Sequence, residues 1–370
     1  QQNSILHCTH RRLRNMGFTL SVNTNPFVNR FAEPEDLIAT LSDEVGIGHI
    51  QLVHEFINPS WKAATIKRLT DRMARACVAK RAKITSIMTG PYGRLNHFAH
   101  PDAEVRQYYV DWFKGMADIA GDLGAPAIGT QFGIFTFKDY DDAARRDELM
   151  KIALDCWRDV ADHARKRGLT WLFWEPMSVG RELGHTLKDT QALQDWIDAA
   201  RLPIPLKPMV DIDHGDVTSP NPADVDPFAW AKDFATQSPI IHIKQSTMNK
   251  GGHWPFTAQY NENGRITPEA LIAAIKAGGG TDNEHAAAEQ GCAHDRGNAL
   301  SGEGAYSYSY GYRFFGADGR QYRDIMAYPP GTELAYFSNP DVVVPAPINA
   351  PIGVAAGKAG ESNNALTIEQ

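Results

Sequence analysis

From Phe18 onwards the chain repeats one pattern: a short β-rich run, a polar or Gly/Pro-containing loop, and a longer stretch with helical spacing. This alternation constrains the fold most, because a strand that returns through a helix runs parallel to the strand before it. The runs that predict strands cover residues 18–23, 49–54, 83–88, 126–132, 170–174, 206–211 and 240–244. Seven such units favour an α/β fold of the TIM-type (β/α) barrel kind over an open doubly wound sheet, whose glycine-rich first turn is absent from the sequence.

Helices between these strands are predicted by apolar residues that recur at steps of three or four. After Pro101 the recurring residues are Val105, Tyr109, Trp112, Met116, Ile119 and Leu123. The following helix repeats the spacing at Leu149, Ile152, Cys156 and Val160. A last helix starts at Thr267 and Pro268, because Thr caps a first turn that tolerates Pro, and the glycines at 278–280 end it.

The pattern stops where an eighth unit is due. A strand should begin near Thr281, but residues 285–314 are rich in Ala, Gly, Ser and Tyr and lack a compact apolar run. We therefore predict a barrel over residues 17–283 whose eighth strand-helix unit is replaced by an irregular tail over 284–370. An open barrel would expose two strand edges, which recruit partners, so a homo-oligomer is expected. Residues 1–16 are expected to form a disordered leader.

Composition excludes several classes of partner. A net charge of −7 and a pI near 6.0 argue against nucleic acid, which requires clustered Lys and Arg. No run approaches the roughly 18 to 20 apolar residues of a membrane span. The four cysteines form neither a disulfide framework nor a C-x-x-C zinc site; they are Cys8, Cys77, Cys156 and Cys292. A cytoplasmic protein is expected.

Polar residues stand at the ends of three consecutive predicted strands. Glu175 follows the fifth, Asp211 ends the sixth, and His242 lies in the seventh. Taken singly, each has an ordinary alternative as a loop organiser or a core histidine. Because barrels carry their chemistry at the carboxyl ends of the strands, the coincidence of all three favours a site. Two carboxylates and an imidazole suit a divalent cation such as Mn²⁺, Mg²⁺ or Co²⁺.

Further polar residues follow other strands on the same rim. His54 with Glu55, and His97, could contact a substrate or only hydrogen-bond their loops. Four cations could bind a phosphate or be solvated surface charges. They are Arg94, Arg181, Lys244 and Lys250.

Several segments together resemble a known family. They read SVNTNPFVNRFAEPEDLI, LVHEFINPSW, TGPYGRLNHFAHPD, FWEPMSVGRE, DIDHGDVTS and IIHIKQS. They are similar, in order, to the sugar-phosphate isomerases and epimerases of the xylose-isomerase-like barrels, in particular the tetrulose-phosphate racemase or erythrulose-phosphate epimerase group. The likeness covers about 17–284. It implies a metal-dependent racemase or epimerase that acts on a tetrulose phosphate in erythritol-type carbohydrate catabolism through an enediolate.

The resemblance also implies roles for individual residues. The family holds its metal with residues that fall here on Glu175, Asp211 and His242, and Glu175 is in addition a catalytic base. His214 matches a substrate-binding histidine. The family's fourth ligand, a Glu on strand eight, has no match, because residues 285–288 read His-Ala-Ala-Ala. Its loss would impair turnover, so a non-catalytic sugar-phosphate-binding scaffold is an alternative.

The tail has a resemblance of its own. GCAHDRGNA, YSYGYRF, YRDIMAYPPGT and YFSNPDV resemble the end of a reprolysin-type zinc metalloprotease domain, with a Met-turn at Met326. Of that domain's zinc motif the sequence keeps Gly291, His294 and Asp295. One imidazole is not a zinc site. A zinc metalloendopeptidase remnant is therefore the less favoured alternative, and a passive extension is expected.

Overall fold

The computed structural model describes residues 18–247, 250–280, 285–288, 313–323, 332–334 and 339–354. The chain divides into two compact units, residues 1–290 and 291–370. The predicted leader lies outside the described residues. The predicted domain boundary at 283 and 284 remains a prediction.

Parallel strands form the barrel of the first unit. They are β1 Thr19–Asn23, β2 His49–Val53, β3 Lys83–Met88, β4 Ala127–Thr130, β5 Trp171–Trp174, β6 Leu206–Pro208, β7 Val210–Asp211, β8 Ile240–Ile243 and β11 His285–Ala288, with a hairpin of β9 Gln245–Thr247 and β10 Lys250–Trp254 after β8. The order is β6-β5-β4-β3-β2-β1-β11-β8-β7. Because β6 and β7 are two halves of one strand interrupted at Met209, this order returns to its start, and the ring has eight positions. The predicted barrel and its seven predicted strands are confirmed.

The eighth position departs from the prediction in one detail. Residues 285–288 form a strand that pairs in parallel with β1 on one side and with β8 on the other. The sequence predicts no strand there because alanine has little β preference and the segment lacks an apolar run. The strand is defined instead by backbone hydrogen bonds to two neighbours, which require no particular side chain. Both edges are therefore occupied, and the open-edge reason for an oligomer no longer holds.

Helices lie between the strands. They are α1 Pro34–Ala39, α2 Ala63–Lys80, α3 Ala103–Asp122, α4 Phe137–Asp141, α5 Ala143–Lys166, α6 Leu187–Ala199, α7 Pro227–Asp233, α8 Ala258–Asn261 and α9 Pro268–Ala277. The three predicted helices are confirmed as α3, α5 and α9, and the Thr267 hydroxyl caps α9 by accepting from Ala270 N. In the part of the chain that the structure describes, no helix is long and apolar enough to cross a bilayer.

Aromatic packing between α3, α5 and the loop after β3 holds the rim of the barrel. Phe98 lies 5.0 Å, centroid to centroid, from both Phe113 of α3 and Trp157 of α5, and all three are fully buried. The Trp157 indole also donates to the Phe132 carbonyl oxygen after β4. Burying one such side chain stabilises the fold by roughly 1.5–3 kcal/mol, so the loops that follow β3 and β4 start from fixed positions.

The second unit contains short strands. They are β12 Arg313–Phe315, β13 Gln321–Arg323, β14 Thr332–Glu333, β15 Asn339–Val344 and β16 Ala350–Ile352. A small cluster packs among them, formed by Phe314, Tyr322, Val344 and Ile348. The residues on which the metalloprotease resemblance depends lie outside the described residues; they are Gly291, His294, Asp295 and Met326.

Candidate metal centre

Glu175, Asp211 and His242 meet at one rim of the barrel. Glu175 follows β5, Asp211 ends β7, and His242 lies on β8, in register with Asp211. One ligand atom from each lies within 4.8 Å of the other two, and all three residues are buried. The Nδ1 atom of His242 is 3.5 Å from Oε1 of Glu175. These three side chains could hold a metal ion.

A buried ammonium balances part of the charge at this site. Nζ of Lys244 donates to Oδ2 of Asp211 at 2.6 Å, and both side chains are fully buried. A buried carboxylate is costly unless it is paired, so this contact explains why a lysine lies here. Among the described residues at this rim, Glu175, Asp211 and Lys244 sum to one negative charge, which favours a bound cation.

His214 lies between the two acids. Its Nδ1 is 3.1 Å from the carbonyl oxygen of Pro176 and 3.5 Å from Oε1 of Glu175, while its Nε2 is 3.4 Å from Oδ2 of Asp211. Because a carbonyl oxygen only accepts, Nδ1 carries the proton. The structure therefore places His214 beside the site, and its role in binding substrate stays a prediction.

Two buried glutamines that the sequence analysis missed support the site. Nε2 of Gln131 lies 3.4 Å from Oε2 of Glu175, and Oε1 of Gln51 lies 2.6 Å from Nε2 of His242. Gln131 directly follows β4, at a strand end where the same argument that found Glu175 could have found it. Gln51 is in the middle of β2, and a polar amide between Ile50 and Leu52 was its only signal.

Arg94 lies on a second charged cluster, in the loops after β3 and β5. Its Nε and Nη2 donate to Oε2 of Glu182 at 2.9 and 2.6 Å, and Nη2 of Arg181 is 3.2 Å from Oε1 of the same carboxylate. Glu182 is buried, whereas the Arg94 side chain is 49% exposed. Among the described residues of this cluster, two guanidinium groups and one carboxylate sum to one positive charge, and no contact of Nη1 of Arg94 is found there.

The structure places His97 in an aromatic layer. Its ring lies 4.7 Å from that of Tyr109 and 5.3 Å from that of Phe113, both on α3. Burial, with a smaller contribution from the charge of His54, lowers the pKa of His97 to about 3. No contact of His97 with Glu175, Asp211 or His242 is found among the described residues. Substrate binding by His97 stays a prediction.

His54 and Glu55 organise the loop after β3. Nδ1 of His54 accepts from Gly90 N at 3.2 Å, and Oε1 of Glu55 accepts from Tyr92 N at 3.1 Å. Loop hydrogen bonding, one of the two roles considered for these residues, is therefore present. The side chain of Lys250 lies outside what the structure describes.

Comparison with known proteins agrees with the barrel fold. Residues 40–280 match the family model described as xylose isomerase-like TIM barrel. The chain belongs to this family. The predicted resemblance of the barrel is thereby confirmed, and the site described above lies within the matched residues.

Individual proteins are similar to this chain over most of their length. D-erythrulose 1-phosphate 3-epimerase of Brucella abortus (strain 2308) is 61% identical over 269 residues, which cover 73% of this chain and 87% of that protein. A Rhodospirillum rubrum protein whose name groups it with the xylose isomerases is 26% identical, with a TM-score of 0.65 over 74% of this chain and 90% of its own. The IolI protein, solved with a zinc atom, is 15% identical, with a TM-score of 0.51 over 74% and 89% of the two chains, and shows the fold alone.

Proposed function

We propose that the chain is a cytoplasmic, metal-dependent epimerase of a tetrulose phosphate, of the type that D-erythrulose 1-phosphate represents. The observation that carries this proposal is the convergence of Glu175, Asp211 and His242 at the barrel rim of a chain 61% identical to an epimerase of that substrate. The enzyme class is therefore isomerase.

The donor set fits a divalent cation such as Mn²⁺, Mg²⁺ or Co²⁺. Glu175, Asp211 and His242 would hold it through two carboxylate oxygens and one imidazole nitrogen, and the net negative charge of the site supports its binding. When bound, the ion acts as a Lewis acid that stabilises negative charge as it develops on the substrate's ketone oxygen. Lys244 holds Asp211 in place, which is the part that we propose for it instead of a phosphate contact.

Glu175 is the base that removes the proton beside the ketone. Its Oε2 accepts from the Gln131 amide at 3.4 Å, and its Oε1 lies 3.5 Å from Nδ1 of His214 and from Nδ1 of His242. The protein then has to return the proton from the other side of the planar enediolate to invert the centre. Residues 285–288, the part of this strand that the structure describes, read His-Ala-Ala-Ala and supply no carboxylate for that step. We therefore expect proton exchange to be faster than inversion.

Substrate contacts are assigned from position and charge. His214 would bind the hydroxyl groups of the sugar, and Arg94 would bind the phosphate with its unused donors, aided by Arg181. Contacts from His97 and Lys250 stay predictions.

The Arg94 assignment has a direct test. Arg94→Gln should raise KM for the phosphorylated sugar roughly 10-fold to 100-fold, the cost of one charge-assisted contact, with a smaller effect on kcat. Arg165→Gln is the matched control, since Arg165 is similarly exposed but lies on α5. Equal KM values in the two variants would remove Arg94 from the site.

Hydrogen exchange tests the proposed function itself. In D₂O with Mn²⁺, deuterium should enter D-erythrulose 1-phosphate at the carbon beside the ketone, and EDTA or Glu175→Gln should abolish the incorporation. A protein that binds Mn²⁺ and the sugar phosphate but exchanges no hydrogen would instead be the non-catalytic scaffold, the alternative that the missing strand-eight carboxylate favours.

A further inference from the structure

A hydrogen-bonded series of buried side chains runs from β1 through β2 to the His242 imidazole on β8. Its members, Asn23, Gln51 and His242, are fully buried. We infer that Gln51 is a positioning residue, which fixes the tautomer of His242 so that Nδ1 keeps its lone pair for the metal ion. The inference rests on the proposed metal site and adds a residue to it.

The donor and acceptor of each hydrogen bond in this series follow from one backbone group. The Asn25 amide N–H can only donate, and it lies 2.7 Å from a side-chain atom of Asn23. That atom must be Oδ1, so the other end of the Asn23 amide is the NH₂ group. This Nδ2 donates to Oε1 of Gln51 at 2.7 Å.

The Gln51 amide is in turn held at both ends. Its Oε1 accepts from Asn23, and its Nε2 lies 3.0 Å from Oγ of Ser86 and 3.2 Å from Sδ of Met209. Turning the amide over would place two NH₂ groups against each other, so this orientation is fixed.

The fixed amide then decides the protonation of His242. Oε1 of Gln51 is 2.6 Å from Nε2 of His242 and has no proton to give, so Nε2 must carry one. When the ring is neutral, as a metal-binding imidazole is, its lone pair is therefore on Nδ1, the atom 3.5 Å from Oε1 of Glu175. In the other tautomer Nδ1–H would point at Glu175, and the imidazole could not bind a cation there. Removing such a partner of a metal-binding histidine typically weakens metal binding 10-fold to 100-fold.

Two substitutions at Gln51 distinguish the loss of the hydrogen-bond acceptor for His242 from a change in side-chain packing. Gln51→Glu keeps an oxygen that can accept from Nε2, whereas Gln51→Leu removes it. Ser86→Ala is the matched control, because it deletes another partner of the Gln51 amide without touching His242. Mn²⁺ affinity should fall roughly 10-fold to 100-fold in Gln51→Leu and change less than about 3-fold in Gln51→Glu and Ser86→Ala.

The tautomer is read independently from long-range ¹H–¹⁵N spectra of the metal-free protein. We expect protonated Nε2 and unprotonated Nδ1 in the unaltered chain, and a mixture of the two tautomers in Gln51→Leu. Protonated Nδ1 in the unaltered chain would overturn the inference even if no variant folds, as would unchanged Mn²⁺ affinity in a folded Gln51→Leu. Failure of the unaltered chain to bind Mn²⁺ would contradict the proposed function, while the tautomer would still decide the inference.

Discussion

The role of Lys244 is determined by the residue with which it pairs. On the sequence it reads as a cation available to a phosphate, but the structure buries it against Asp211, the neighbouring strand's carboxylate. The two residues are 33 positions apart, and the strand pairing that brings them into contact cannot be inferred from the sequence alone.

Removing this ammonium should destabilise the protein strongly. Lys244→Met leaves Asp211 buried without its ammonium, and breaking a buried ion pair costs about 3–5 kcal/mol. Urea unfolding in EDTA measures the loss. Lys67→Met, which deletes the exposed pair with Asp71 on α2, is the control and should unfold like the unaltered protein. Equal stabilities for the two variants would show that the Lys244 pair contributes nothing.

His97 should make stability depend on acid. Its pKa is about 3 in the folded chain, because burial disfavours the charged ring, and 6.5 in the unfolded chain. Between these values the unfolded state binds more protons, so stability falls as the pH is lowered through this window, by about 2 kcal/mol from pH 7 to pH 5.

Comparison with a variant isolates this effect. His97→Asn keeps a residue type that tolerates the positive φ of 46° and removes the titrating ring. Its own cavity lowers stability at every pH, so only the slope of unfolding free energy against pH is compared, and the slope should be shallower in His97→Asn. Parallel slopes would rule out His97 as the source.

At the level of single residues, the sequence predicts the three metal-ligand candidates but not their supports. Glu175, Asp211 and His242 stand at or near strand ends, and parallel strands bring those ends together whatever the loops do. Gln51 contacts His242, a residue 191 positions away. Glu182 pairs with Arg94 only because the loops after β3 and β5 lie against each other. Neither contact follows from periodicity.

Among the described elements, β11 bears most directly on the second proton transfer that we propose. Its register pairs Ala287 with His242, and Ala286 with Ile241. In a parallel pair, residues in register share a face of the sheet, so we choose position 287 to test the effect of an added carboxylate.

A carboxylate introduced at position 287 should raise the rate of inversion at the substrate's stereocentre. Ala287→Glu is expected to increase the rate of epimerisation relative to hydrogen exchange by roughly 100-fold or more, the contribution typical of a positioned acid or base. Ala286→Glu, one step along the strand, serves as the control and should give no increase. The ratio of product isomers to incorporated deuterium measures both variants. An equal response at the two positions would mean that the register does not place the catalytic group.

Whether a helix or strand can be predicted from the sequence depends on the interaction that stabilises it. The strands and helices of the first seven units are visible in the sequence because burial of their apolar residues repeats with a fixed period. The strand β11 is not, because two existing strands supply its hydrogen bonds and its own sequence, His-Ala-Ala-Ala, adds no pattern.

On the scale of the whole molecule, the first compact unit, residues 1–290, contains the closed ring and the three residues of the candidate metal centre. The family could be predicted from motifs spread along this unit, since each motif lies where a strand meets a loop. The net charge of the site could not, because it depends on the buried position of Lys244.

The position of a bound ion decides whether Glu175, Asp211 and His242 form a metal site. In a crystal grown with Mn²⁺, anomalous scattering should show one ion at roughly 2 Å from a carboxylate oxygen of Glu175, a carboxylate oxygen of Asp211 and Nδ1 of His242. An ion held elsewhere, or no anomalous peak at this rim at saturating Mn²⁺, would contradict the account.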